Sequence, residues 1–176
     1  MKALSLRDLY RIEPLSSAHD RASFRCGDSA LDRYLQQQAS QDSRRGFAAV
    51  FVVVESTSAM LHGYYSLSMA SVSLDLLPAE IAQKMPRYPT APAFRLGRLV
   101  VHQDVQGRGL GAYLLIDAMC RALKNDIAWT AFIGEAKNDR ARAWYKKFGF
   151  RSFIDNKNHL YLMRKTIDSL HLDDIR

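Results

Sequence analysis

Two patterns of apolar residues alternate along the chain. Short runs rich in β-branched and aromatic residues are typical of strands, because these side chains pack well on a half-buried sheet. Longer stretches repeat their apolar positions every three or four residues, which is typical of helices with one buried face. Strands are predicted at Tyr10–Leu15, Phe47–Glu55, Leu61–Ser68, Leu96–Val101, Ala128–Glu135, Arg151–Phe153 and His159–Met163.

The second pattern predicts helices at about 28–42, 111–124 and 140–148, with one or two helical turns at 78–85. Asp28 or Ser29 can cap the first helix, and Gly46 stops it. Pro78 suits the first position of the short helix, because its missing N–H is not needed there. The proline-rich stretch Pro86–Pro92 is predicted to be a stiff connector within one domain that spans residues 1–176.

A glycine-rich turn follows the strand Leu99-Val100-Val101 and runs directly into the next helix. Successive backbone N–H groups in such a turn point inward, and the positive end of the helix dipole lies behind them. Glycines at 107, 109 and 111 leave room for a close ligand and permit positive φ angles. The segment therefore predicts a cradle for an anion such as pyrophosphate.

Two common phosphate-binding motifs do not fit this turn. A P-loop requires Lys-Ser or Lys-Thr after its glycines, and neither follows here. The dinucleotide-binding motif requires Gly-x-Gly-x-x-Gly in an early βαβ unit, whereas this turn lies past the middle of the chain. The remaining structural alternative is a glycine turn that only reverses the chain.

The turn resembles the Gln/Arg-x-x-Gly-x-Gly/Ala signature of the GNAT N-acetyltransferases, met here by Gln106, Gly109 and Gly111. A second motif of that family follows about thirty residues later, carried by Asn138, Ala141, Tyr145, Gly149 and Phe150. The resemblance implies an α/β (α+β) fold with a mixed, mostly antiparallel sheet, flanking helices and a splayed central strand pair.

The resemblance also implies acetyl-CoA as co-substrate, with its pantetheine amides on the backbone of Leu99 and Val101. The cofactor-binding residues implied are Leu99, Val100, Val101, Gln106, Gly107, Arg108, Gly109, Leu110, Gly111, Ala112 and Asn138. The family parallel makes Tyr145 the catalytic residue, an acid that protonates the departing thiolate. The alternative for Tyr145 is a core tyrosine that packs on the sheet.

Composition favours one globular domain. The 176 residues are 48% hydrophobic, and the longest apolar run is far shorter than the roughly 20 residues that span a bilayer. The N-terminus has no apolar stretch typical of a signal peptide. Cys26 and Cys120 lie far apart, so reduced thiols in a cytoplasmic protein are expected. The histidines have no metal-ligand spacing, and no metal is expected.

The formal net charge is +7, which points to a polyanionic partner. The alternative is a solvated basic surface that aids solubility, and some of the excess also suits the phosphates of coenzyme A. The size of the excess favours nucleic acid, held by salt-dependent phosphate contacts. The residues expected to make these contacts are Arg44, Arg45, Arg87, Arg95, Arg98, Lys146 and Lys147.

The sequence resembles one branch of the GNAT family more closely than the family as a whole. The segments 26–35, 41–46, 63–68, 86–89, 96–99 and 143–150 resemble the GNAT toxins of bacterial toxin–antitoxin systems. Such toxins acetylate the α-amino group of aminoacyl-tRNA and block translation. A small ribbon-helix-helix antitoxin neutralises them and binds operator DNA. The resemblance therefore implies aminoacyl-tRNA and the antitoxin as partners and no association with a membrane. It also implies a homodimer, which no pattern of residues in this sequence indicates.

The chemistry requires little of the protein beyond alignment, because a thioester already acylates an unprotonated amine favourably. The α-amino group has a pKa of about 7.7–8.0, and an aminoacyl ester lowers it, so a strong general base is dispensable. A backbone N–H near Val101 could stabilise the oxyanion. Whether Glu135 or His102 takes part is left open, as is the choice of tRNA and amino acid.

Two other functions remain open at this point. One is acetylation of a protein N-terminus, a lysine or a small amine, which needs the cradle but no basic surface. The other is a non-catalytic regulator that binds acetyl-CoA.

Four tyrosines could offer stacking faces to the tRNA acceptor end, although packing in the core or at its rim is their default role: Tyr64, Tyr65, Tyr88 and Tyr161.

Overall fold

In the computed structural model of the protein, residues 5–172 are described. The strands are β1 (Tyr10–Pro14), β2 (Ala49–Glu55), β3 (Leu61–Ser73), β4 (Thr90–Val101), β5 (Ala131–Glu135), β6 (Arg151–Ser152) and β7 (His159–Met163). They form a seven-stranded sheet in the order β1-β2-β3-β4-β5-β7-β6. The β1–β2, β2–β3, β5–β7 and β6–β7 pairs are antiparallel, and β4 pairs with β5 in parallel.

The α-helices are α1 (Leu6–Leu9), α2 (Ser29–Arg33), α3 (Ala39–Arg45), α4 (Ala79–Ala82), α5 (Leu110–Leu123), α6 (Asp139–Lys146) and α7 (Arg164–Ser169). A π-helical segment, Tyr34–Gln38, joins α2 to α3. The side chain of Asp28 caps α2, and Gly46 ends α3 with a φ of 75°. No described helix has the length and apolar character needed to cross a membrane.

The described residues divide into two compact units. The first comprises residues 5–68 and 98–120. Its core is a cluster of buried side chains from β2, β3 and the α2–α3 region. The members are Phe24, Tyr34, Leu35, Ala39, Val50, Val52, Val54, Leu61, Tyr64 and Val100. This burial of aromatic and aliphatic surface is what stabilises the unit.

The second unit comprises residues 69–97 and 121–172. Its core contains buried side chains of β3, β4, β5 and β7 and of the loops beside them, namely Val72, Leu74, Leu77, Ala91, Ala93, Ala131, Ile133, Phe153 and Tyr161. The indole N–H of Trp129 donates to the carbonyl of Ala122 at 3.0 Å, which satisfies the polar atom of this buried ring.

The expected fold class is confirmed by the mixed sheet with flanking helices. The expectation of a single domain over residues 1–176 stays a prediction, and residues 1–4 and 173–176 lie outside the described part. Two local predictions were wrong. Pro78 is the N-cap of α4, with extended backbone angles, and not its first helical residue. The connector ends earlier than predicted, because β4 begins at Thr90 and includes Pro92.

The position of Pro92 explains why a strand can include it. Its carbonyl accepts the N–H of Thr130 at 2.9 Å, and the paired register with β5 begins one residue later, at Ala93. A proline at this point needs no N–H for the parallel ladder. Because β4 begins at Thr90, both Arg95 and Arg98 lie within it.

Candidate functional site

The glycine-rich turn links the end of β4 to α5 through a short 3-10 helix, Gln103–Val105. Gly107 and Gly109 have φ angles of 78° and 87°, a region that favours glycine. Leu110 begins α5 and is buried, so the helix start is anchored in the core of the first unit. The sequence prediction of a turn between strand and helix is confirmed.

The backbone N–H groups from Gln106 to Ala112 are free to bind a ligand. Within residues 5–172, none of them donates a hydrogen bond to a protein acceptor, and the first bonded N–H is that of Tyr113, to Gly109. The first N–H groups of a helix lack internal partners and carry the positive end of its dipole. With Arg108 exposed beside them, these groups fit the pyrophosphate of coenzyme A, a group rich in anionic acceptors.

The last residues of β4, the strand before the turn, extend past the end of its hydrogen-bonded ladder with β5. The parallel pairs run from Ala93–Ala131 to Leu96–Gly134, whereas β4 continues to Val101. Leu99 and Val101 are half-buried, and Val100 is buried in the core. The two residues expected to bond the pantetheine thus lie in the part of β4 beyond this ladder.

Tyr145 lies on α6 in the second unit, with its ring buried between aromatic side chains. The centroids of the Trp144 and Phe150 rings lie 5.0 and 5.3 Å from the centroid of the Tyr145 ring, and both contacts are edge-on. Its hydroxyl has no hydrogen-bond partner among the described residues and is not among their fully enclosed polar atoms. Burial raises the pKa of Tyr145 to about 12, so the hydroxyl is protonated at neutral pH.

Asn138 and His102 both cap helices. The side chain of Asn138 accepts the N–H of Ala141 at 2.8 Å at the start of α6. The Nδ1 atom of His102 accepts the N–H of Asp104 at 3.2 Å, which places the proton of a neutral ring on Nε2. His102 therefore caps the 3-10 helix Gln103–Val105. Glu135 ends β5 as an exposed carboxylate.

The residues predicted to bind nucleic acid differ in their surroundings. Six are exposed, namely Arg44, Arg45, Arg87, Arg95, Lys146 and Lys147. Arg98 is half-buried, and its guanidinium carbon lies 3.5 Å from the centroid of the Tyr34 ring, a cation–π contact. Tyr34 in turn donates to Asp42 at 3.0 Å. Arg98 is therefore held against the α2–α3 region, within the first unit.

Of the four tyrosines considered for base stacking, three are core residues. Tyr64, Tyr65 and Tyr161 are at most 1% exposed, whereas Tyr88 is 69% exposed.

Cys26 and Cys120 are free cysteines. Burial, followed by the hydrogen bond to Asp32, raises the pKa of Cys26 to about 11, which makes it a poor nucleophile. The described residues hold no group of His, Cys, Asp and Glu suited to a metal.

Comparison with known proteins agrees with this arrangement. The profile of the acetyltransferase (GNAT) domain matches residues 72–152. A tRNA-acetylating toxin of Mycobacterium tuberculosis is 34% identical over 158 residues, which are 89% of this chain and 93% of the relative. The chain belongs to the GNAT toxin family. Its acetyltransferase activity follows from that membership.

Solved structures of other GNAT toxins share the fold. AtaT complexed with acetyl-methionyl-tRNAfMet is 28% identical, with a TM-score of 0.84 over 92% of this chain and 98% of that one. A tyrosine-to-phenylalanine variant of AtaT, bound to the C-terminus of its antitoxin AtaR and to acetyl-CoA, is 25% identical, with a TM-score of 0.76 over 92% and 97%. The KacTA–DNA complex is 28% identical, with a TM-score of 0.75 over 94% and 99%.

Sequence reasoning missed three features of the site. It did not identify Asp32, a buried carboxylate beside Cys26. It did not find the close approach of Gly63 to the carbonyl of Val100. It also gave no role to the side chain of Gln106. A glycine inside an apolar strand was the one available signal, because such a glycine often marks a close backbone approach.

Proposed function

We propose that this protein transfers the acetyl group of acetyl-CoA to the α-amino group of aminoacyl-tRNA and thereby blocks translation in the cytoplasm. The observation that carries the proposal is the row of free N–H groups at Gln106–Ala112, on a chain whose relative is a tRNA-acetylating toxin. The complex of AtaT with acetyl-methionyl-tRNAfMet supports the acceptor.

The cradle and the end of β4 hold the acetyl donor in this proposal. The N–H groups of Gln106, Gly107, Arg108, Gly109, Leu110, Gly111 and Ala112 bind the pyrophosphate. The backbone of Leu99 and Val101 bonds the pantetheine, with Val100 between them packed in the core. Asn138, whose side-chain acceptor is engaged by Ala141, keeps its amide N–H groups as donors for the ligand. Bound here, acetyl-CoA supplies an activated thioester.

The transfer forms an N–C bond at the amine and breaks the C–S bond of the thioester. The backbone N–H near Val101 stabilises negative charge on the carbonyl oxygen. Tyr145 donates its hydroxyl proton to the departing sulfur and is reprotonated by the proton that the new amide nitrogen releases. The pKa of about 12 keeps this hydroxyl protonated at neutral pH, although it also makes Tyr145 a weaker acid than an exposed tyrosine.

The pH profile tests the protonation state of Tyr145. We expect kcat/KM to rise as the acceptor amine deprotonates and then to stay level up to about pH 9.5. The level region follows from the raised pKa, because Tyr145 stays protonated throughout that range. Initial rates with a stable aminoacyl-ester analogue between pH 6 and 9.5 measure it. A fall in rate with a midpoint below pH 9 would contradict the assignment of Tyr145 as the acid.

We propose that the exposed basic residues bind the phosphates of the tRNA. Arg44 and Arg45 lie in the last turn of α3, and neither side chain is buried. Replacing both by glutamate is expected to raise the Kd for aminoacyl-tRNA by about tenfold. Removal of each phosphate contact weakens binding and makes the slope of log K against log salt shallower by about 1. Filter binding at several salt concentrations measures both quantities.

A matched control makes the same change in net charge at two basic residues elsewhere on the protein. Lys84 and Lys165 are exposed residues of the second unit, and replacing both by glutamate removes the same charge. We expect the control to change the Kd less and to leave the salt slope near that of the wild type. An Arg44/Arg45 variant with the wild-type slope would show that these residues contact no phosphate.

We further propose that a ribbon-helix-helix antitoxin neutralises this protein and that the pair binds operator DNA through the antitoxin. The structures of AtaT with AtaR and of KacTA with DNA support this proposal. A homodimer is part of the same proposal. Co-expression with the protein encoded by a small adjacent reading frame, followed by gel filtration and a growth assay, tests the partner and the assembly together.

One experiment separates the tRNA acceptor from the other acceptors. Purified protein is given labelled acetyl-CoA with charged tRNA, with deacylated tRNA, or with amine-bearing peptides. We expect label only on charged tRNA. Transfer to peptides with no effect of tRNA would instead identify a protein or small-amine acetyltransferase. Binding of acetyl-CoA without transfer to any acceptor would identify a non-catalytic regulator.

A further inference from the structure

The side chain of Gln106 bonds to two backbone carbonyls of other segments. Its Nε2 donates to the carbonyl of Val101, at the end of β4, and to that of Cys26, in the loop before α2. Both N···O distances are 3.0 Å, typical of well-formed hydrogen bonds. One side chain therefore joins three parts of the first unit: the cradle, the strand before it and the loop at residues 24–28.

Two further contacts hold the same loop against the cradle. The N–H of Gln103 donates to the carbonyl of Arg25 at 2.9 Å. The ring of Phe24 lies edge-on to His102, with 5.5 Å between the centroids. Phe24 is 1% exposed, so this contact ties the residues before the cradle to the hydrophobic core.

Asp32 fixes the loop from its other side. Its Oδ1 accepts the N–H of Cys26 at 2.9 Å, and the residue is only 8% exposed. The N–H of Asp32 is itself bonded to the carbonyl of Asp28, the residue that caps α2. Both polar groups of the Cys26 backbone are thus engaged: the N–H by Asp32 and the carbonyl by Gln106.

We propose that Gln106 and Asp32 are positioning residues that act through one chain of hydrogen bonds, from Asp32 through Cys26 to Gln106 and Val101. This chain fixes the first N–H of the cradle and the end of β4 relative to each other, before acetyl-CoA binds. The inference rests on the proposed function, in which acetyl-CoA occupies the cradle.

The chemistry of position 106 follows from its two partners. Both are carbonyl oxygens, which only accept, so the side chain must donate and must be long enough to reach them. Glutamine and arginine, the two residues that the family signature allows there, both meet these conditions. Methionine has a similar length but no donor, so it removes both bonds without adding charge.

Coenzyme A binding measured by calorimetry tests the proposal. We expect Gln106→Met to raise the Kd by about tenfold, since it removes two hydrogen bonds, and Gln106→Arg to recover most of that loss, since arginine keeps a donor of sufficient length. In steady-state assays the Met variant should raise KM for acetyl-CoA more than it lowers kcat. A Met variant that binds as tightly as the wild type would overturn the proposal.

A double-mutant cycle tests whether the residues act as a chain. Asp32→Asn keeps an acceptor for the Cys26 N–H and should bind coenzyme A normally, whereas Asp32→Leu should weaken binding. Because coupled residues are not additive, Asp32→Leu combined with Gln106→Met should bind about as weakly as Gln106→Met alone. Additive losses would contradict the chain. Should Asp32→Leu fail to fold, the comparison of Met and Arg at position 106 still decides.

These outcomes are distinct from failure of the proposed function. If the wild-type protein binds no coenzyme A, the cradle has been misassigned. If the wild type binds it and Gln106→Met binds equally well, the cradle stands and the positioning role is wrong.

Discussion

Replacement of Tyr145 by phenylalanine is expected to lower kcat for acetyl transfer by about 10²–10⁴-fold, the range of a positioned general acid. The ring contacts with Trp144 and Phe150 remain, because only the hydroxyl is removed. That hydroxyl has no hydrogen-bond partner in the described structure, so its loss costs the fold little. Single-turnover rates with preformed aminoacyl-tRNA measure the effect on chemistry separately from binding.

Tyr161→Phe is the matched control. Tyr161 is also a buried tyrosine of the second unit, and its hydroxyl is enclosed without a partner. We expect this variant to keep its rate and to be as stable as the wild type. Equal rate losses in the two variants, or a Tyr145→Phe protein that binds acetyl-CoA and transfers at the wild-type rate, would show that Tyr145 is not the acid.

Replacement of Gly63 by alanine is expected to destabilise the protein by about 1–3 kcal/mol, the usual cost of overpacking. An added Cβ would lie 2.6 Å from the carbonyl oxygen of Val100, and also close to Val53 and Leu114. Backbone must shift to relieve that contact, and Val100 adjoins the residue proposed to stabilise the oxyanion. We therefore expect weaker acetyl-CoA binding together with lower stability, measured by calorimetry and urea unfolding.

Gly134→Ala provides the comparison. Gly134 also lies in a strand and faces a carbonyl of β4, but an added Cβ there would lie 3.7 Å from the carbonyl oxygen of Leu96, an ordinary contact. This variant should unfold close to the wild type. If both alanine variants are equally stable, the close approach at Gly63 does not constrain the sheet.

The cradle could be predicted from sequence because its cause is local. Glycines at 107 and 109 are needed where the backbone takes positive φ angles, and the apolar periodicity after Leu110 marks a helix. The cap at Asn138 is local in the same way, since asparagine before a helix is a common cap, but Asn138 was singled out only through the resemblance to the GNAT motif. Such features depend on neighbours within a few residues.

The remaining features depend on contacts between distant segments. The bond from Gln106 to Cys26 spans 80 residues, and the Arg98–Tyr34 contact joins β4 to a π-helical segment that periodicity predicted as ordinary α-helix. Nor does the spacing of tyrosines show which are buried: Tyr64 and Tyr65 are adjacent in β3, yet both are fully enclosed. These contacts and the burial of these tyrosines depend on tertiary packing, which no local sequence pattern predicts.

The central claim is that charged tRNA receives the acetyl group. Its most direct test is mass spectrometry of aminoacyl-tRNA from cells that express the wild type or Tyr145→Phe, digested to the terminal aminoacyl-adenosine. We expect N-acetylated aminoacyl-adenosine only with the wild type, and the attached amino acid then identifies the acceptor. Unacetylated aminoacyl-adenosine from both cultures, with the wild type active on proteins instead, would contradict the account.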